Sequence, residues 1–469
     1  MIKKIFVLLL IVSSLICMGL GIYINIFPSL YLVIFILTEL LFVLISIYLI
    51  KKKNIWKVLG CILSFILIII FIFLSFIFIR YDTFFDNISN KNTEVNNFVI
   101  VVLNKSNYYK IDDINDKYFG ILKTDNTYYN AALDKLNKKV NFKHKEYGNE
   151  FDLANGLLEK QVEAILLNEA YISILNEGIK DFSNNIRILD DTKVEIEVED
   201  TNNKDEEIVK LDNTESFNVY ISGIDTYGKI SSVSRSDVNI IATINPNTSK
   251  VLLTNVPRDM YVPLDGKTGL KDKLTHAGVY GINTSMGTLE NFLGIDISYY
   301  VRINFSSLIK IVDFIGGVDV YSAYSFKAGN RYYNTGMNYD LSGNEALAFS
   351  RNRFAFIDGD RQRGRNQQQV IAAIIKKIAN QKDVNVYFNL INTLENSFQT
   401  NMDRDTINSF VYKQLENNYN WNILFNDVNG YDSSNYTYSY PWQKLYVMEV
   451  DVNSLDNAKN MIYTVLQGN

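Results

Sequence analysis

The chain has 469 residues, with 46 Lys and Arg against 51 Asp and Glu, a formal net charge of −5. That length allows more than one domain, and the acidic balance excludes a general nucleic-acid binder. Only two cysteines and two histidines are present, which excludes a disulfide-rich scaffold and a multi-histidine zinc site.

Residues 5–23, 30–50 and 58–79 are apolar runs of about 20 residues, the length that crosses roughly 30 Å of hydrocarbon as a helix. Lys3 and Lys4 precede the first run, and Lys51, Lys52, Lys53 and Lys57 fill the second gap. The first gap has no basic residue and carries Pro28. Basic residues stay on the cytoplasmic side, so a three-span membrane anchor over 1–80 places everything after Arg80 outside the cell. A cleaved signal peptide fits poorly, because the first run is too long and no small-residue cleavage site follows it. Glu39 lies near the middle of the second run. A carboxyl group there costs on the order of 3 kcal/mol in lipid and is expected to face another helix. Cys17 and Cys61 both fall within the runs, so the external part has neither a disulfide nor a thiol nucleophile.

With the seven basic residues and one acid of 1–80 set aside, the remainder carries a net charge of −11. Its only histidines are His144 and His276, and no Gly-x-Ser-x-Gly turn supports serine catalysis. Chemistry there must rest on carboxylates, arginines and an oxygen-bound metal. Residues 98–103 and 186–189 read as strands; 130–136 and 153–175 read as helices. The second helix would carry a stripe of Leu157, Val162, Ile165, Leu166 and Ile172. These elements predict a small α/β accessory domain over 95–190 with no evident cluster of catalytic residue types. Residues 191–213, rich in acids and amides, read as a linker to a larger domain over 214–469.

In that domain 217–223, 238–244 and 251–253 read as three strands, with turn chemistry at Asn245-Pro246-Asn247. If the strands reverse in turn, the end of the first, the start of the second and the end of the third share one sheet edge. Asp225, Asp237 and Arg258 would meet there. Farther on, Arg351, Arg353, Arg361, Arg363 and Arg365 lie within fifteen residues, at the entrance of a helix over 367–378. Ile371, Ile374, Ile375 and Ile378 would be its core stripe, and counting back by fours from Ile371 gives Gln367 and Arg363. Arg361 and Arg365 lie on another face and are expected to be solvated. An inward arginine needs an anion, either a structural carboxylate such as Asp358 or Asp360, or a phosphate. Several arginines at a helix amino terminus describe a phosphate site. Asp225 and Asp237 then make sense as oxygen ligands for Mg²⁺.

At these residues the chain resembles the LytR–CpsA–Psr family. The matching pieces run in order through Gly223-Ile224-Asp225, Arg235-Ser236-Asp237, Val256-Pro257-Arg258-Asp259, Lys273-Leu274-Thr275-His276-Ala277, Val312-Asp313 with Gly316-Gly317-Val318-Asp319-Val320, Ala346 to Arg353, and Gly359-Asp360 through Arg363 to Gln367. They cover about 214–380, and three spans plus an accessory domain resemble the capsule-type branch. The resemblance implies an α/β fold with a central mixed sheet covered by helices, and an apolar tunnel for a prenyl chain. It implies an extracytoplasmic, membrane-anchored phosphotransferase. Such an enzyme moves a glycopolymer from a polyprenyl-pyrophosphate carrier to peptidoglycan, forming a phosphodiester. It implies Asp225 and Asp237 as Mg²⁺ ligands with Asp360 as a helper. Arg258, Arg351, Arg353, Arg363 and Gln367 would grip the pyrophosphate, and Arg235 would orient the two aspartates. Asn255 and Thr226-Tyr227 depart from the family pattern without touching those groups. The main rival is a non-catalytic polyprenyl-phosphate-binding module that regulates capsule polymer length or export. A glycosidase using Asp225 and Asp237 leaves the inward arginines unexplained, and a DNA-binding regulator fails on topology.

Overall fold

A computed structural model of the chain describes residues 2–24, 29–89, 93–197, 215–224, 233–382, 386, 387, 390 and 398–468. They divide into two units. One holds Met1–Asn90 with Ala379–Glu395 and Met402–Tyr419; the other holds Lys91–Ile378 with Asn396–Asn401 and Asn420–Asn469.

The first unit carries α1 (Ile2–Ile24), α2 (Ser29–Lys51) and α3 (Ile55–Ser89). Lys4–Ile24, Leu30–Lys51 and Ile55–Arg80 are each long and apolar enough to cross a membrane. Glu39 is buried beside Ser14 and Cys17 of α1, the inward orientation that the cost of a carboxyl group in lipid demands.

In the second unit β1 (Thr93–Leu103), β2 (Tyr118–Leu122), β3 (Lys143–Tyr147), β4 (Ala164–Asn168) and β5 (Ile186–Glu197) form one sheet in the order β3-β2-β4-β1-β5. Its helices α4 (Thr127–Asn137), α5 (Glu150–Leu158) and α6 (Glu169–Gly178) each start at an asparagine: Asn126, Asn149 and Asn168 accept from backbone N–H groups of the first turn. The continuous helix expected over 153–175 is therefore wrong. Lys160 adopts φ +59 and ends α5, and the buried run 164–168 is a central strand. A short, fully apolar run has no periodicity that separates a buried strand from a helix.

The larger sheet contains β6 (Phe217–Ile224), β7 (Ser236–Asn245), β8 (Lys250–Asn255), β9 (Tyr299–Asn304), β10 (Phe398–Thr400) and β11 (Asn422–Asp427), in the order β10-β9-β6-β7-β8-β11. β6, β7 and β8 form the expected antiparallel meander, while β9 and β11 join it in parallel. Both faces are covered, which explains why β6 and β7 read as nearly unbroken apolar runs. Alternation divides the faces. Tyr220, Ile241 and Leu252 pack under Leu289 and Leu293 of α7 (Ile282–Leu293) and Ala458, Ile462 and Val465 of a C-terminal helix, Val452–Leu466. Gly223, Val238 and Ile303 share the opposite face, being aligned in register. That face looks toward α8 (Phe305–Phe314), α9 (Gly343–Arg351) and α10 (Asp360–Ala379).

The smaller sheet has its own core under α4, including Phe98, Ile100, Phe119 and Leu136. Its other face does not close on itself. Val99, Ile165, Leu167 and Phe182 share a second core with Val279, Tyr440 and Leu445 of the larger segment. Tyr440 is fully buried, its ring 5.5 Å from that of Phe151 and 5.2 Å from that of Trp442. Gly178 closes α6 directly against this ring, and a Cβ there would overlap the Tyr440 side chain. Gly178→Ala is therefore expected to lower stability by about 1–3 kcal/mol, the usual cost of overpacking a filled core. A melting temperature equal to that of the unmodified protein would mean the Tyr440 ring moves aside freely.

Candidate active site

The meander delivers its polar ends to one edge. Asp237 opens β7 and Arg258 follows β8, and their side chains meet at 2.9 Å. Thr275, on the short helix Leu274–Ala277, donates its hydroxyl to the other Asp237 oxygen at 2.9 Å. Burial opposes charge on Asp237. Arg258, with Arg235 and Arg363 beyond it, nevertheless holds the carboxyl below its ordinary range. Asp225, the other expected carboxylate, lies outside the described residues, one position past the end of β6.

Arg363 enters from α10. Gly359 adopts φ +50, a conformation suited to glycine, and turns the chain into that helix. The count back from Ile371 holds, because Arg363, Gln367, Val370 and Ile371 line a common cavity. Its body is apolar, with Ile224, Val238, Ile303, Leu308 and Leu347. Its polar lining comprises Asp237, Asn304, Ser350, Arg351, Arg363 and Gln367. Arg351 is seated by stacking on the Phe305 ring, 4.1 Å from its centroid. Arg353 does not line the cavity; it is exposed on the following turn, over the Phe354 ring.

Arg363 pairs with Asp360 at 2.6 Å, one of the two structural carboxylates expected for an inward arginine. It does not satisfy the group fully. Burial pulls the Arg363 guanidinium below its ordinary value, Asp360 and Asp237 offset that, and neighbouring Arg258 and Arg353 add to it. An anion in the cavity would supply the missing charge.

One expectation for α10 is corrected and another is refined. Ile371, Ile374, Ile375 and Ile378 are only half-buried, and the deepest positions are Gln362, Gly364, Asn366, Gln368, Val370, Ala372 and Ala373. The helix is enclosed on more than one side: Gln368 donates to the carbonyls of Leu253 and Asn426, tying it to β8 and β11. Arg361 and Arg365 are partly solvated, as expected, but both are also paired. Arg361 pairs with Asp432 and donates to the Gly430 carbonyl, each at 2.9 Å. Arg365 pairs with Asp358 at 3.0 Å and lies 3.4 Å from Asp427.

Behind Arg258 lies a network whose key member was missed in the sequence. Glu177, on α6 of the accessory segment, pairs with Arg235 at 2.6 Å and with Lys273 at 2.7 Å, and lies 3.8 Å from His276. Lys273 also meets Asp259 at 3.2 Å, and Asp259 lies 3.6 Å from Arg258. Among the described residues, the ion pair of Arg235 is thus with Glu177. Nothing in the sequence around Glu177 distinguishes it from a surface acid.

For a metal, the described residues contain no group of three His, Cys, Asp or Glu side chains able to hold an ion unaided. Asp237 uses one lone pair on each oxygen for Thr275 and Arg258, and a carboxylate has about four acceptor sites. It can therefore serve as one ligand of an ion completed by substrate oxygens, the usual way Mg²⁺ is held.

A model of the LytR_cpsA_psr family matches residues 184–457. The chain is 35% identical over 207 residues to a polyisoprenyl-teichoic acid–peptidoglycan teichoic acid transferase TagU of Bacillus cereus, covering 44% of this chain and 67% of that one. It is 34% identical over 200 residues to the TagU of Enterococcus faecalis, covering 42% and 64%. The chain thus spans about two thirds of the length of these curated relatives. A crystal structure of B. subtilis TagU superposes with a TM-score of 0.43 at 28% identity, over 54% of this chain and 97% of that one.

His276 is fully buried between Asp272, whose carboxylate lies 2.7 Å from Nδ1, and Glu177. Burial disfavours its charge, but the two carboxylates prevail and push its pKa up to about 9 from 6.5. A folded pKa above the unfolded one favours folding fully below about pH 6.5, and this contribution fades as pH rises through 9. Stability measured by denaturant is therefore expected to fall between pH 6.5 and 9, with a flatter profile for His276→Gln. Identical profiles for the two proteins would show that His276 is neutral in the fold.

Proposed function

Because the chain belongs to the LytR_cpsA_psr family, we propose that it is a membrane-anchored glycopolymer transferase whose catalytic segment lies outside the cytoplasmic membrane. Its donor would be a glycopolymer, of teichoic-acid or capsule type, joined by pyrophosphate to a polyprenyl lipid; its acceptor would be a peptidoglycan hydroxyl. The observation that carries this reading is the cavity, an apolar body with Asp237, Arg351, Arg363 and Gln367 in its polar lining. Such a shape suits one substrate class, a long hydrocarbon chain ending in clustered negative charge. The names of the relatives support transfer rather than passive storage.

In the proposed reaction the acceptor oxygen attacks the phosphorus that bears the glycopolymer. The bond to the bridging oxygen breaks, polyprenyl phosphate leaves, and the proton of the acceptor hydroxyl passes to the departing phosphate or to water. Arg363, Arg351 and Gln367 would hold the phosphate oxygens, and the planar guanidinium fork suits them bidentately. Arg258 keeps Asp237 ionised and fixed, and Arg353 adds positive charge from the neighbouring turn. Asp237, with Asp225 and with Asp360 as a helper, would hold Mg²⁺, which neutralises phosphate charge when bound. Most of the rate would come from positioning and from charges preset for the leaving oxygens.

Full-length protein in detergent–phospholipid micelles, given lipid-linked polymer, peptidoglycan and Mg²⁺, is expected to release polyprenyl phosphate. Arg363→Lys keeps the charge and loses the fork, so turnover should fall roughly 10²-fold, with a smaller loss in lipid binding. Equal losses in both, or no transfer by the unmodified protein, would favour the binding module.

Asp237→Asn preserves shape and should raise the Mg²⁺ concentration needed for half-maximal turnover. An unchanged requirement would remove Asp237 from the metal site. For topology, a reporter fused after residue 90 should be active only outside the membrane, and one in the 51–57 loop only inside. The reverse pattern would defeat the extracytoplasmic reading.

A further inference from the structure

Arg235 lies two positions before Asp237, at the mouth of the β6–β7 connection, and its charge is felt at that carboxylate. A largely buried guanidinium must find an anion. Its partner comes from outside the larger sheet altogether: Glu177, 58 residues earlier in the chain, on α6. The same carboxylate takes Lys273 on its second oxygen. Four cations, Arg235, Arg258, Lys273 and His276, thus face four carboxylates, Glu177, Asp237, Asp259 and Asp272. The set balances only when the accessory segment contributes its acid.

We propose that Glu177 is a positioning residue of the transferase site, holding Arg235 off Asp237 so that Asp237 keeps Arg258 as its arginine partner. This rests on the transferase reading above. With Glu177 neutralised, Arg235 and Lys273 lose their shared anion while remaining mostly buried. Asp237, two residues along the chain, already feels the Arg235 charge and is the carboxylate it would turn to. A second guanidinium there would occupy acceptor sites that face the cavity and pull the group from its place. The accessory segment therefore acts on the site through one side chain, besides sharing a core with it.

The test compares Glu177→Gln, Glu177→Asp and, as a control on the same helix, Glu169→Gln, whose exposed carboxylate accepts from Asn97 at 2.7 Å. Full-length proteins are assayed for kcat and KM with lipid-linked polymer, for melting temperature, and by crystal structure. Glu177→Gln is expected to lower kcat by roughly 10- to 100-fold, the scale of a misplaced catalytic group, with KM nearly constant. Glu177→Asp should recover part of the rate, and Glu169→Gln all of it. In the Glu177→Gln crystal, Arg235 should bond Asp237. Wild-type kinetics in Glu177→Gln, or equal losses in Gln and Asp variants matched by a lower melting temperature, would overturn the proposal. So would a crystal in which Arg235 stays clear of Asp237, and that arm reports even if the unmodified protein transfers nothing. Loss of transfer in the unmodified protein alone would instead defeat the transferase reading.

Discussion

A charge removed from water must be matched, and the centre of the larger segment is organised around that requirement. Asp237, Arg258, Asp259, Lys273, Glu177, Arg235, His276 and Asp272 form a continuous chain of ion pairs. Its members come from the start of β7, the segment after β8, the 272–277 stretch and α6. Each partner left alone would carry a desolvation cost that its neighbours could not offset. The pairs therefore favour one arrangement of these elements over nearby alternatives. Asp272 is anchored in turn by the backbone N–H and the hydroxyl of Ser439, so the far end of the chain is closed by hydrogen bonds and not by solvent.

The cavity follows from how the sheet is covered. One face is filled by α7 and the C-terminal helix with interdigitated apolar side chains. On the other, α8, α9 and α10 leave space beside Gly223, Val238 and Ile303. An apolar space that protein atoms do not fill forfeits packing that a denser core would gain. A fold selected for stability alone would close it. A hydrocarbon ligand would restore the lost contacts, which is the physical sense in which the site and the proposed lipid belong together.

Much of this was legible in the sequence where the reasoning was local. The reversal of β6, β7 and β8 brings Asp237 to Arg258 through strand geometry alone, and a helical repeat of four carries Ile371 back to Gln367 and Arg363. Membrane spans declare themselves by length and lysine placement. What stayed hidden depends on pairings between distant residues. The partners of Arg361 and Arg365 could not be seen because Asp432 and Asp427 lie more than sixty residues away. β4 looked helical because a run buried on both faces loses its alternation. Glu177 could not be singled out, since an acid on a short amphipathic helix is ordinary until its three partners arrive from the larger segment.

The division between the balanced network and Arg363 has a consequence for selectivity. A set of four cations and four carboxylates has little net attraction for an anion; it fixes geometry. Arg363, Arg351 and Arg353 stand at and beside the polar lining of the cavity, while the chain after residue 80 carries a net charge of −11. On the proposed reading, an anionic polymer would be drawn in where its pyrophosphate can reach these arginines. Once the pyrophosphate is split, the polymer keeps one phosphodiester charge and the lipid keeps the other phosphate. The polymer then holds a weaker claim on the arginines than the intact donor did. The same electrostatic contrast that admits the donor would thereby favour release of the product, with no moving part required.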